Sequence, residues 1–355
     1  MGSATTQTYL KTRAAVMSGR LISDSDLEGL MQQPVAELGK AFSLTELLDQ
    51  GVSEIMLNRA AEQALIHTLM SELSVLLRPL DGSSRNVLIH WARKFELYNL
   101  KALIRGKIQG LSYEQLLDNL QDLPALISLP HEQLLRTENI PELLRLLEKT
   151  PYGDIAQQAR RVYEEENEPF SLDATIDQRY YTALLKRSRM VTETDRAPLT
   201  RLIGSLIDQQ NLPWLLRYRF NYQLSPTKTY YLLAPSGRHL QSDRLKRMVN
   251  MESAEQVLET LPKHLKVRLA DTSNPIAVEQ EMAAETAYQA RKLLQHSDSA
   301  VTRSLAYLML REIDLRRVYA IVQGRILELD ESLIRQAADI PEGTTTPQGE
   351  GYSHV

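Results

Sequence analysis

The 355-residue sequence contains no cysteine, so no disulfide framework and no thiolate metal site can form. Absence of cysteine fits a reducing compartment. Glycine and proline are scarce at 15 each, and the chain holds only four phenylalanines and two tryptophans. No stretch approaches ~20 continuous apolar residues, so no helix is expected to cross a bilayer. Basic charge is not in excess either. Forty-one Lys and Arg stand against 45 Asp and Glu, a net charge of −4, which leaves no strongly basic footprint for nucleic acid. The opening residues Met1-Gly2-Ser3-Ala4-Thr5-Thr6-Gln7 lack an apolar core and are read as a loose arm over 1–7, not a signal peptide.

Leu, Ala, Glu, Gln and Arg dominate what remains, and strong helix formers throughout predict an all-α, soluble chain. No run alternates apolar and polar residues long enough to indicate a sheet. A helix is expected over Tyr9 to Ser18. Ser23 or Ser25 caps the next one, and Ser43-Leu44-Thr45-Glu46 has the form of a capping box. Long helices are predicted from about Ser53 to Leu77 and from about Asn86 to Gln109, separated by Pro79-Leu80-Asp81-Gly82. Pro130, Pro141, Pro151 and Pro262 mark the larger breaks, with Thr150-Pro151-Tyr152-Gly153 a junction between units. Residues 342–355 are nearly devoid of apolar side chains and read as a disordered tail.

Self-similarity organises the sequence. The segment Phe95 to Lys107 aligns without gaps to Ile207 to Arg219 and to Ile313 to Arg325. An acid follows an apolar residue in each copy: Glu96, Asp208 and Asp314. Leu100, Leu212 and Val318 stand four residues later, two aliphatics follow, and Lys107, Arg219 or Arg325 closes the copy. A weaker likeness precedes each one, in Leu57 to Ile66, Ile176 to Leu185 and Val278 to Tyr288. The domains expected from this period are 8–148 (N-terminal helices plus the first repeat), 149–262 and 263–341.

On a helical wheel Leu97, Leu100, Leu103 and Ile104 share a buried stripe, with Glu96 and Asn99 at its edge. Those two polar positions either tie the helix to its neighbour or line a surface that receives a partner. Lys94, Lys101 and Arg105 fall together on a flanking face. A charge run of this kind is usually solvated, and the run does not recur in the other copies. Pro213 interrupts the second copy, and Asn211 is expected to cap a helix restarted there. Trp214, Tyr180, Tyr181, Tyr230 and Tyr231 are read as core or interface filling.

Motifs for chemistry are missing. No HxxxH or HExxH pair, EF-hand loop, GxxxxGK[ST], GxSxG or DDxxD occurs. Leu38-Gly39-Lys40 lacks the rest of a phosphate loop, and Gly82-Ser83-Ser84-Arg85 is a polar turn. No catalytic residue, metal ligand or cofactor is assigned. A helical repeat without such a site is expected to act as a scaffold or binding surface.

The ordered set of motifs resembles one family over roughly residues 8–340. It comprises Tyr9-x-x-x-Arg13 with Leu21-Ile22 and Asp24 to Leu30; the acid-x-x-Asn-Leu-Lys-x-x-x-Arg-Gly-Lys segment Glu96 to Lys107; Thr150 to Gly153; Ile176-Asp177 and Tyr180-Tyr181; Leu224-Ser225-Pro226; Leu232 to Leu240; and Leu305 to Leu308 before Glu312. This arrangement is similar to the C subunit of archaeal and bacterial V-type (A-type) ATPases, known as the d subunit in eukaryotes. The resemblance implies three similar helical domains with pseudo-threefold symmetry forming a funnel. It implies a peripheral, non-catalytic protein on the cytoplasmic side of the membrane, partnered by central-stalk subunits and the proteolipid ring. The role implied is to couple ATP turnover to ion movement. Glu96, Asn99, Arg105, Asp208, Asn211, Arg217 and Asp314 carry over as interdomain or cavity-lining candidates. Ser236-Gly237 replaces a Gly-Gly pair, Arg317 an Asn and Gln323 an Arg of the family pattern. The alternative is a helical-repeat adaptor outside any ATPase. A carboxylate enzyme would instead need a deep acidic pocket that binds a divalent ion.

Overall fold

The computed structural model describes residues 4–41, 45–166, 168–236, 238–269 and 275–340. Helices and turns make up all of the regular structure among these, with no strand, as the scarcity of glycine, proline and β-patterned runs requires. The helices follow in order as α1 (Ala4–Ser18), α2 (Asp24–Met31), α3 (Val35–Ala41), α4 (Thr45–Asp49), α5 (Glu54–Leu77), α6 (Gly82–Ile108) and α7 (Tyr113–Asp118). Then come α8 (His131–Leu135), α9 (Ile140–Leu147), α10 (Gly153–Glu166), α11 (Pro169–Ser188), α12 (Glu193–Leu216) and α13 (Pro226–Leu232). The last are α14 (Ser242–Met248), α15 (Ala254–Glu259), α16 (Lys263–Arg268), α17 (Pro275–His296), α18 (Ala300–Ile326) and α19 (Glu331–Ala337).

Three successive pairs of long helices stand out along the chain: α5 with α6, α11 with α12, and α17 with α18. The second member of each carries one copy of the repeated segment. No helix among the described residues is long and apolar enough to cross a membrane.

Local sequence explains the boundaries. Ser23 caps α2 by accepting the Asp26 N–H, while Asp26 accepts the Ser23 N–H in return. Ser25 lies inside that helix. Asn139 caps α9, whose Pro141 sits in the first turn where its missing N–H costs nothing. The Thr150–Gly153 junction separates α9 from α10. Here Gly153 is required, because a Cβ would stand 2.3 Å from the Glu148 carbonyl oxygen.

Some expectations change. Residues 4–7, assigned to an arm, form the first turns of α1. Helix α6 starts at Gly82, four residues before Asn86, because Asp81 takes the extended backbone of an N-cap directly after the Leu80 turn. Pro213 does not restart a helix. It lies inside a continuous α12, and the Asn211 side chain bonds a loop instead of capping. The next turn, Arg217–Asn221, is a π-helix. The box at Ser43-Leu44 and the tail 342–355 lie outside the described residues.

The chain packs as two units. The first comprises residues 1–19 and 70–310, the second residues 20–69 and 311–355. In the first unit α12 packs on both α11 and α17, α6 on α11, and α10 on α9 and α11. Leu97, Leu100, Leu103 and Ile104 are all buried, as the periodicity predicts. A large apolar cluster runs from Ala174 through Leu212, Leu215, Met248 and Leu265 to Met282. Trp214 is half-buried against it and lies in an aromatic series, 5.7 Å from Tyr181 and 6.4 Å from Tyr218. Tyr180 is buried, but Tyr231 is 74% exposed and fills no core. In the second unit, Arg335 forms a two-pronged pair with Glu28 at 2.6 and 2.7 Å.

Candidate functional site

The repeated polar residues are consumed by the fold. Glu96 is wholly buried on α6. Its carboxylate accepts the Leu129 N–H at 2.8 Å and stands 2.6 Å from His131 Nε2. Asn99, one turn on, donates to the Gln121 carbonyl at 2.9 Å and accepts the Gln121 N–H at 2.8 Å. The second copy repeats the pattern on α12. Asp208 accepts the N–H groups of His239 (2.8 Å) and Leu240 (3.1 Å) together with the Ser236 hydroxyl. Asn211 donates to the Ala234 carbonyl at 2.7 Å and accepts its N–H at 3.0 Å. In each case an acid and an amide one turn apart clip the loop that returns along the helix.

The third copy does the same with different parts. Asp314 on α18 accepts the Ile22 N–H at 2.9 Å, so its loop comes from the other end of the sequence. Arg317 stands where the other copies have Asn. Its guanidinium donates to the carbonyls of Ala338 and Asp339 and reaches Asp24. The closing bases follow suit. Lys107 donates to the Leu135 and Thr137 carbonyls, Arg219 to those of Val249 and Leu224, and Arg325 to that of Gln33 at 3.4 Å.

The helix ends recur as well. The Leu111 and Leu329 N–H groups donate to the Gly106 and Gly324 carbonyls, each behind a residue of positive φ, Gly110 at 71° and Glu328 at 50°. The second copy has Tyr218 in place of glycine. There Leu224 donates to the Tyr218 carbonyl across one extra residue, behind Gln223 at 53°. The π-turn supplies that extra residue.

Five of the seven candidate positions, Glu96, Asn99, Asp208, Asn211 and Asp314, are therefore buried and occupied internally. Arg105 and Arg217 are exposed and face neighbouring helices. Arg105 pairs with Asp173 on α11 at 3.1 Å, and Arg217 with Glu279 on α17 at 2.8 Å. Lys101 pairs with Asp177 on α11 at 2.8 Å and is partly buried, so the basic face of α6 is not simply solvated. Lys94 lies 4.4 Å from the Trp91 ring.

Burial pushes the Asp208 carboxyl up to about 6, against the pull of its hydrogen bonds to Ser236, His239 and Leu240. His90, stacked on Tyr180 with ring centroids 5.2 Å apart, is held down to about 3 by burial and by the Arg187 guanidinium. Both groups belong to packed interior.

A cluster that no motif indicated is His239, His264 and Glu285, whose ligand atoms lie within 4.8 Å of one another. The spacing would suit a cation, but the charge does not. Glu285 already accepts from Arg238 at 2.8 Å and Gln289 at 3.1 Å, and Arg268 stands 3.5 Å away. His239 is held down to about 4 by burial and by Arg238. Two guanidiniums oppose a divalent ion here. The residues are far apart in sequence, which is why spacing alone missed them.

An all-helical chain whose recurring acids, amides and bases clip loops onto long helices is, by fold and site, an architectural protein. The sequence model of the ATP synthase (C/AC39) subunit matches residues 10–337, and the chain belongs to that family. Relatives span nearly the whole length. One is the A-type ATP synthase C subunit of Methanocaldococcus jannaschii, 24% identical over 92% of this chain and 84% of its own. The A-type ATP synthase C subunit of Methanococcoides burtonii is 22% identical over 94% of both chains. That of Haloferax volcanii is 24% identical over 92% of this chain and 95% of its own.

Proposed function

We propose that the chain is the non-catalytic coupling subunit of an A-type rotary ATPase, joining the central stalk to the membrane proteolipid ring on the cytoplasmic face. The observation that carries this reading is the family match across residues 10–337. The thrice-used clip supports the accompanying organisation: three similar helical domains, 8–148, 149–262 and 263–341, set about a pseudo-threefold axis as a funnel. Arg105–Asp173 and Arg217–Glu279 then join one domain to the next. Such a socket works by shape and rigidity. Buried clips at Glu96, Asp208 and Asp314 keep the long helices in fixed register with their loops, as torque transmission requires.

The test is capture of purified central-stalk subunits by the purified chain at low ionic strength, where charge contacts are strongest, alongside an ATPase assay of the chain alone. Binding of the stalk without hydrolysis is expected. Failure to bind stalk subunits at low salt would sink the coupling role and favour an adaptor outside any ATPase.

A further inference from the structure

Arginine is concentrated in one place in the first unit. A cleft of about 640 Å³ at the start of α12 is lined by Arg189, Arg196, Arg201 and Arg238, with Thr200 among them. A second of about 260 Å³ shares Arg238 and adds Arg244 and Arg247 from α14. Six arginines face these clefts against two carboxylates, Glu193 and Asp243, in a protein whose net charge is −4. Arg238 is spent on Glu285 and on the Ser205 hydroxyl. Arg196 makes one long bond, 3.5 Å, to the Val191 carbonyl. The guanidinium groups of Arg189, Arg201, Arg244 and Arg247 make no hydrogen bond or ion pair among the described residues. His239 on the second cleft keeps a buried Nε2 without a partner.

So much unpaired like charge in a concavity is unfavourable unless something anionic shares it. Every lining cation is an arginine, beside the neutral imidazole of His239; no lysine and no tryptophan, tyrosine or phenylalanine lines either cleft. Guanidinium forks match the oxygens of phosphate two at a time. The larger cleft has the volume of a small-molecule site rather than of an extended protein interface. With six guanidiniums and no tryptophan, tyrosine or phenylalanine platform, the lining is built to read charge on a chain of phosphates rather than the group attached to it.

We propose that the paired clefts around Arg238 bind a multivalent phosphate, a run of two or more phosphoryl groups, whether free or carried on a nucleotide. Arg189, Arg196 and Arg201 take one end and Arg244 and Arg247 the other, with Arg238 held between them by Glu285.

The experiment is calorimetric titration of the full chain with orthophosphate, tripolyphosphate, ATP and a polyglutamate peptide at low salt. It is run on the unaltered chain, on Arg201→Glu/Arg247→Glu, and on Arg161→Glu, an exposed arginine of α10 that serves as the charge control. Thermal melts establish that each variant is folded. Tripolyphosphate is expected to bind more tightly than orthophosphate. ATP should match tripolyphosphate if the source can be a nucleotide, and fall well below it if only free polyphosphate is accepted. The double variant should weaken both by ~10-fold or more while Arg161→Glu changes little, each fork-to-phosphate pair being a strong charge-assisted contact. Absence of tripolyphosphate binding would overturn the proposal, as would an equal loss in Arg161→Glu. Tighter binding of polyglutamate than of tripolyphosphate, lost in the double variant, would also overturn it and assign the clefts to an acidic protein segment.

Discussion

Asn211 uses both ends of its amide on a single backbone residue, Ala234, and does so with no exposure to water. Replacing it by alanine leaves a buried N–H and a buried C=O unpaired and opens a small void, so Asn211→Ala should cost about 2–4 kcal/mol. Urea unfolding checks this through a lowered midpoint at unchanged slope. Asn99→Ala should cost as much for the same reason.

Titration separates three other residues. His90 has its folded pKa pushed from 6.5 to about 3, so the unfolded chain takes the proton first and stability is lost as pH falls below 6.5. His239, held down to about 4, acts in the same sense. Asp208 acts in the opposite sense. Its folded pKa of about 6 exceeds the ordinary 3.8, so the folded chain takes that proton first and gains stability as pH falls from about 6 toward 4. The two histidines outweigh the one acid, and net destabilisation on mild acidification is expected. In His90→Phe the loss of stability between pH 6.5 and 4.5 should shrink by roughly 2–3 kcal/mol, at about 1.4 kcal/mol per pH step. Urea melts at the two pH values read this difference apart from any constant offset caused by losing the bond to the Tyr180 carbonyl.

At the scale of elements, the three repeat helices end alike but not with equal ease. α6 ends on Gly110, which accepts positive φ without strain, whereas α18 ends on Glu328 and the second copy on Gln223 in the same left-handed region. A side chain there costs about 1 kcal/mol relative to glycine, partly offset by the greater freedom glycine has when unfolded. Glu328→Gly and Gln223→Gly should each stabilise by ~0.5–1 kcal/mol, read as a raised midpoint in thermal or urea unfolding; Gly110→Ala should do the reverse.

These ends also show what the sequence could and could not reveal. The acid, the aliphatics and the closing base lie in one short segment, so their recurrence was legible, and the buried stripe Leu97 to Ile104 followed from helical spacing alone. The partners were not legible, because a loop N–H has no sequence signature and Ile22 meets Asp314 from 292 positions away. Arg317 looked like a departure from Asn, yet its longer fork reaches the same loop as Asn99 and Asn211 reach in theirs. The π-turn escaped notice because Tyr218 in place of a glycine does not announce an added residue. The arginine clefts collect side chains from the C-cap of α11, from α12, from α14 and from the loop before α14, which no linear pattern joins.

At the scale of the whole molecule, the second unit is drawn from two stretches almost at opposite ends of the sequence, residues 20–69 and 311–355. Its integrity rests on bonds of very long range. Asp314 holds Ile22, and Arg317, with its side chain only 12% exposed, gathers Ala338, Asp339 and Asp24. The entropy of bringing such distant stretches together rises only slowly with separation, but it must be met by these few polar contacts and the apolar surface beside them. Removing both side chains, Asp314→Ala with Arg317→Ala, unties the α2 and α19 segments from α18 at once. Hydrogen exchange read by mass spectrometry should then show amides of residues 22–31 and 334–340 exchanging ~10-fold faster or more, since each lost buried bond is worth about 1 kcal/mol or more. Amides of residues 199–212 on α12 belong to the first unit, where Asp208 and Asn211 keep their own clip, and should exchange as before. An equal acceleration in both regions would mean that the clip at Asp314 supports the entire fold and not the unit that contains it.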